Sequence, residues 1–160
     1  MPVRPLEIML AKLWAMAAVV LLATLVALLG IVRGYLGVQL GGSVLLFLAG
    51  TVLHLFAATS LGILLATLAR SMPQFGILVV LVLLPLQMLS GATTPRESIP
   101  SPLRELMLAA PTTHFVELSQ AILFRGAGVD LVWPQFLALA AIGTILFGAS
   151  LAKFGKAMRQ

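Results

Sequence analysis

From Leu13 to Val32 the chain runs for about 20 residues without a charged side chain, which is the length a helix needs to cross roughly 30 Å of hydrocarbon at about 1.5 Å per residue. The run exceeds the roughly 7–15 residues of a signal-peptide core, so it reads as a retained span. Three further stretches, 43–68, 74–89 and 134–152, repeat the pattern. Composition supports the same class. Hydrophobic residues make up 61% and charged residues 9%, against about 45–50% and about 25% in an ordinary soluble domain. A soluble fold of this size could not cover so much apolar surface. With no cysteine, disulfides, thiolate metal sites and cysteine nucleophiles are excluded. The net charge of +5 is scattered singly between apolar runs, which does not make a nucleic-acid footprint.

The connections carry their own signals. Met1–Lys12, with Arg4, Glu7 and Lys12, is a short mixed segment expected along the membrane surface, with Pro2 in a turn and Pro5 at a first helical position. Gly30, Gly34, Gly37, Gly41 and Gly42 predict a loop around Arg33 and an interfacial Tyr35. Ser71-Met72-Pro73 predicts a tight turn after Arg70, and Pro85, close to Gln87, predicts a kink in the third span. Two four-residue stripes of small side chains, Ala58/Gly62/Ala66 and Ala140/Thr144/Gly148/Ala152, mark faces on which another helix can approach closely. Trp133 marks an interface before the last span.

Between the third and last spans the pattern breaks. The apolar run stops at Ser90-Gly91, and Pro95, Pro100 and Pro102 follow together with Arg96, Glu97, Arg104 and Glu105. From Leu103 to Leu123 the chain is apolar again, yet Pro111 cuts it and His114 and Glu117 interrupt it, so neither piece can span. Helix starts are expected at Thr94, where Thr-Pro-Arg-Glu has capping-box spacing and Pro100 limits the element to about a turn, at Ser101, running to Ala110, and at Thr112 or Thr113, running to Phe124. Two short helices dipping into one face of the membrane satisfy this pattern, provided that a bundle covers their ends. The expected fold is an all-α membrane protein with about four transmembrane helices and an outward re-entrant helical pair before the last span.

Four spans put both termini on one side. That side holds Arg4, Lys12, Arg70, Lys153, Lys156 and Arg159, and the other holds Arg33, Arg96, Arg104 and Arg125. The basic excess, crowded at the end of the last span, predicts cytoplasmic termini and an outward-facing re-entrant region.

Covalent chemistry finds little support. His114 and Glu117 stand at i and i+3, a spacing that carboxylate-bridged metal sites use, but the only other histidine is His54 in a different span. Neither Ser60 nor Ser90 sits in a G-x-S-x-G turn, and there is no Walker, G-x-G-x-x-G or H-E-x-x-H motif. The charged residues of the broken region serve equally as a gate or as a solvated rim. A transporter, a channel and a non-transporting membrane scaffold or assembly factor all remain open on these grounds.

The stretch MLSGATTPRESIP, the proline-broken PTTHFVELSQAILFRG and the lysine-ended last span resemble the C-terminal part of ABC-2 type permeases, the membrane subunits of bacterial ABC exporters. The resemblance implies a single transmembrane domain over 1–160, truncated at its N-terminus with the first spans missing. It implies a permease subunit that forms part of a translocation path for drugs or other amphipathic compounds in the bacterial inner membrane. ATP would be bound and hydrolysed by a separate ABC ATPase, with no cofactor on this chain, and the implied partners include a second permease subunit in a homo- or heterodimer and a periplasmic adaptor. Ser90, Gly91, Pro95, Glu97, Pro100, Pro111, Thr112, His114 and Glu117 would form the re-entrant gating region. Arg4, Glu7, Lys12 and Arg70 would face the ATPase.

Overall fold

The computed structural model describes residues 5–37, 39–92, 94 and 96–157, and every regular element among them is helical. Arg4 and Pro95 lie outside the described residues. Helix α1 (Pro5–Val26) passes without a break into a nine-residue π-helical segment, Ala27–Tyr35, which Leu36 closes by donating its N–H to the Ile31 carbonyl at 2.8 Å. Two expectations change here. Pro5–Lys12 is continuous with the spanning helix, whose apolar span begins at Leu10, and Gly30 and Gly34 are helical, with the loop beginning only at Leu36. Glycine lowers α-helical preference by about 1 kcal/mol relative to alanine, so two glycines let the wider turn compete without ending the helix.

Helix α2 (Val44–Leu68) starts on Ser43, whose hydroxyl accepts the Leu46 N–H at 3.4 Å. Helix α3 (Met72–Met88) starts within the expected tight turn: Ser71 accepts the Gln74 N–H, Pro73 occupies the first turn, and the Gln74 side-chain carbonyl accepts the Arg70 N–H at 2.8 Å. The helix continues through Pro85 and stops at Met88. Gly91, at φ +93°, takes the chain out of the helix direction in a region closed to side chains with a Cβ.

A single 3₁₀ turn at Arg96–Ser98 stands where about one helical turn was expected between Thr94 and Pro100. Helix α4 (Ser101–Met107) ends three residues earlier than expected, and α5 (Pro111–Arg125) begins on the proline itself, which needs no N–H partner in a first turn. Gly126 ends α5 in the left-handed conformation at φ +65°. Helix α6 (Val129–Ala157) starts five residues before the expected Pro134, which lies within it.

Among the described residues three helices are long and apolar enough to cross a bilayer, at Leu10–Tyr35, Val44–Leu68 and Val129–Lys153; α3 is apolar but has 17 residues, about 25 Å. Exposed Trp14 flanks one end of the first span, and exposed Tyr35 and Trp133 stand at the other end of the bundle, as aromatic belts do.

Helices α2 and α6 run parallel and make the main seam. A Cβ on Gly143 would fall 2.6 Å from Phe56 and 3.4 Å from the Ala57 Cα, so glycine there brings the two backbones together. Further along, the buried Ser150 hydroxyl is shared between Leu146 O at 2.7 Å in its own helix and Ser60 O at 2.8 Å across the seam. The expected small-residue stripes are not this contact. A Cβ on Gly62 or Gly148 would meet nothing within 4 Å, and Thr144, Gly148 and Ala152 are exposed. Helical phase decides it: Gly143 and Ser150 are seven residues apart on the face of α6 that meets α2, and the predicted stripe lies on another.

Helix α5 runs antiparallel to the first half of α2. Gly42 meets Ile122, Gly50 meets Leu118, and Phe115 stacks on His54 at 4.3 Å, ten residues into α2. The N-terminal part of α5 therefore lies about 15 Å along α2 from its start, so α5 enters at depth and returns to the end where α2 begins, as the second helix of a re-entrant pair does. Leu28, Phe47, Leu118, Ile122, Ala127, Val132 and Leu139 form the core between α1, α2, α5 and α6.

Candidate functional site

Where α3 stops, the 3₁₀ turn, α5 and the first turns of α6 leave a cavity of about 580 Å³. Its walls are Ser90, Gly91 and Ala92 from the end of α3, Glu97 from the turn, Val116, Glu117, Gln120, Ala121 and Arg125 from α5, and Leu131 and Gln135 from α6. The nine-residue step from Arg125 back to Val116 gives this wall a depth of about 13 Å. Polar and apolar groups share the lining, with two carboxylates, one guanidinium and two amides set among Val116, Ala121 and Leu131.

Local folding explains each position. Ser90 is fully buried, and its hydroxyl donates to Gln87 O at 2.8 Å while accepting the Ala92 N–H at 3.4 Å, so it shapes the exit from α3. Gly91 follows in its positive-φ turn. Glu117, Gln120 and Arg125 project from the face of α5 that does not meet α2; the opposite face is filled by Leu118 and Ile122.

Of the residues singled out from the sequence, Ser90, Gly91, Glu97 and Glu117 converge on the cavity. Pro100, exposed before α4, and Pro111, buried at the start of α5, frame the re-entrant helices, and Thr112 lies in the first turn of α5. His114 does not line the cavity. Its Nε2 lies 2.7 Å from Leu108 O, so with Nε2 protonated it donates to that carbonyl and ties the end of α4 to the first turn of α5. Glu7, Lys12 and Arg70 are exposed at the opposite end of the bundle.

Sequence reading missed Gln120, Arg125 and Gln135 as lining residues. Arg125 carried a signal as a lone cation beside a helix-ending glycine, and Gln135 as a polar residue one step into an apolar run. Among the described residues no group of three histidine or carboxylate side chains comes together as a metal site. The Ser90 hydroxyl donates to a backbone carbonyl, and the lining contains no imidazole beside it.

A helical bundle with membrane-length apolar helices, a re-entrant pair and a mixed polar cavity at its end defines a polytopic membrane protein. The ABC-2 type transporter family matches residues 1–124, and the chain belongs to that family. It is 58% identical over 156 residues to the inner membrane transport permease YhhJ of Escherichia coli K12, and equally to that of Shigella flexneri. The match covers 98% of this chain and 42% of those relatives. The probable multidrug ABC transporter permease YbhR of Escherichia coli K12 is 28% identical over 117 residues, covering 73% of this chain and 32% of the relative. The chain thus spans less than half the length of the curated relatives it matches. No solved structure matches it.

Proposed function

We propose that the chain supplies the later spans of an ATP-driven exporter permease in a bacterial inner membrane, and that the cavity between α3, α5 and α6 belongs to the outward part of its translocation path. The observation that carries this reading is the convergence of Ser90, Gly91, Glu97 and Glu117 on one cavity at the end of the bundle. In this reading both termini are cytoplasmic, and Glu7, Lys12 and Arg70 face a separate ABC ATPase that binds and hydrolyses the nucleotide. A second permease subunit, identical or not, completes the path. A mixed lining suits drugs or other amphipathic compounds, which present apolar and hydrogen-bonding surfaces together, and a periplasmic adaptor would carry them onward. The names of the relatives, a transport permease and a probable multidrug permease, agree with this assignment.

The test is dye efflux from cells that express the chain within its complete reading frame together with the neighbouring ATPase. Energy-dependent efflux should fall several-fold when Glu117→Gln and Glu97→Gln are combined, with membrane abundance unchanged. Undiminished efflux would remove the cavity from the path, and failure of the ATPase to co-purify would remove the exporter assignment.

A further inference from the structure

A second recess lies at the same end of the bundle, between α1 and α2. Arg33, Gly37, Gln39, Leu40, Gly42 and Val44 line a cavity of about 520 Å³. Beside it, and sharing Gly42, runs an apolar groove of about 620 Å³ between the first turns of α2, at Leu45, Leu46 and Ala49, and the α5–α6 turn at 126–129. The two are held in fixed relation because Gly41 donates its N–H to Leu123 O at 3.0 Å, pinning the loop between them to the end of α5.

Charge separates the two compartments. Arg33 is exposed at the cavity and makes no ion pair among the described residues. No carboxylate lines either recess; Asp130, next to Val129 in sequence, is outside both linings. A guanidinium with an amide beside it presents forked donors suited to a phosphate. The groove next to it presents only backbone, one hydroxyl and aliphatic surface.

We propose that these recesses together seat one anionic phospholipid of the surrounding bilayer, its phosphate on Arg33 and Gln39 and one acyl chain in the groove along α2. Exposed Tyr35 places this end of α1 at headgroup level, where such a phosphate lies. Anionic lipid is favoured over zwitterionic lipid because no acidic side chain lines the recess to receive a choline or ethanolamine. An arginine that simply reached for the headgroup layer would need no groove, so filling the groove separates the two cases.

The experiment is native mass spectrometry of the full 160-residue chain released from detergent, with phosphatidylglycerol or phosphatidylcholine of matched acyl chains. The wild-type chain should retain one phosphatidylglycerol in preference to phosphatidylcholine. Arg33→Gln should lower phosphatidylglycerol retention about fivefold, to the phosphatidylcholine level. Ala49→Phe should lower retention of both lipids although Arg33 is present. Both positions are exposed, and circular dichroism should show unchanged helicity in both variants. Equal retention of the two lipids by the wild type, or undiminished phosphatidylglycerol on either variant, would overturn the site.

Discussion

Replacing Gly42 with alanine tests the junction on which the re-entrant helix depends. A Cβ at this position would stand 2.3 Å from Ile122 O, 3.1 Å from the Ile122 carbonyl carbon and 3.1 Å from its Cγ2. A non-bonded carbon and oxygen need about 1 Å more than the first of these. The obstacle is backbone, so no side-chain rotation relieves it, and the end of α5 must retreat from the α1–α2 loop. That movement breaks the adjacent Gly41 N–H to Leu123 O bond, now 3.0 Å. Overpacking of this kind costs about 1–3 kcal/mol and the lost hydrogen bond about 1 kcal/mol. A total near 3 kcal/mol corresponds to a fall of about 6–12 °C in melting temperature for a chain of this size. The assay is thermal unfolding in a mild detergent, with Gly128→Ala as the control, because a Cβ there meets nothing within 4 Å. Adding Ile122→Val should not rescue Gly42→Ala, since the clashing oxygen is untouched. Equal melting temperatures for the two glycine variants would refute the close approach.

Three further outcomes follow from the same packing. Gly50→Ala meets a side chain instead, Leu118 Cδ2 at 2.5 Å, so its cost of about 1–3 kcal/mol should largely vanish in a Leu118→Ala background; a double-mutant cycle of melting temperatures showing additivity would contradict the contact. Ser150→Ala gives up the bond to Ser60 O but leaves no buried donor behind, so it should cost only about 0.6 kcal/mol, whereas Ser150→Leu should prevent α6 from seating against α2, read as loss of the folded species on size exclusion. His114→Phe removes the tie to Leu108 O, and hydrogen exchange should rise at 108–110 with little change in melting temperature; unchanged exchange would mean that the proline turn alone holds α4 to α5.

How much of this was legible in the sequence follows from which forces act within a segment and which act between segments. Span existence rests on hydrocarbon length and the absence of charge, both local, and the helices fall where the apolar runs are. The re-entrant pair was legible for the same reason: Pro111 and the charges around it leave α4 and α5 too short to cross, and the structure brings α5 back along α2. Element ends were read less well. Gly30 and Gly34 look like a loop because glycine is poor in an α-helix, but in an apolar segment the backbone must satisfy its own hydrogen bonds, and a π-helical turn does so without ending the helix. The small-residue stripes do not form the α2–α6 seam, because several faces of each helix carry small side chains. Which one meets a neighbour is decided by the phase of the partner, here the seven-residue step from Gly143 to Ser150 that faces Ala57 and Ser60.

The same distinction explains the cavity. Ser90 and Gly91 were visible as a stop signal and Glu97 and Glu117 as charges out of place, because each violates a local expectation. Gln120 and Gln135 violate none: a polar residue on a short helix or near a span's start is ordinary until the other wall is known. What unites these residues is that α3 ends at Met88 and its exit, Ser90–Ala92, stands across the cavity from α5 and the first turns of α6, so the walls come from segments far apart in sequence. The cavity thus depends on where α3 ends. Lengthening α3 by one turn with four alanines before Ser90 should close it, moving Ser90 and Gly91 by about 6 Å along the helix axis. Spin-label distances between Glu97 and Gln135 positions would then shorten or lengthen with the turn, whereas an unchanged distance would show that α5 and α6 hold the cavity open without α3.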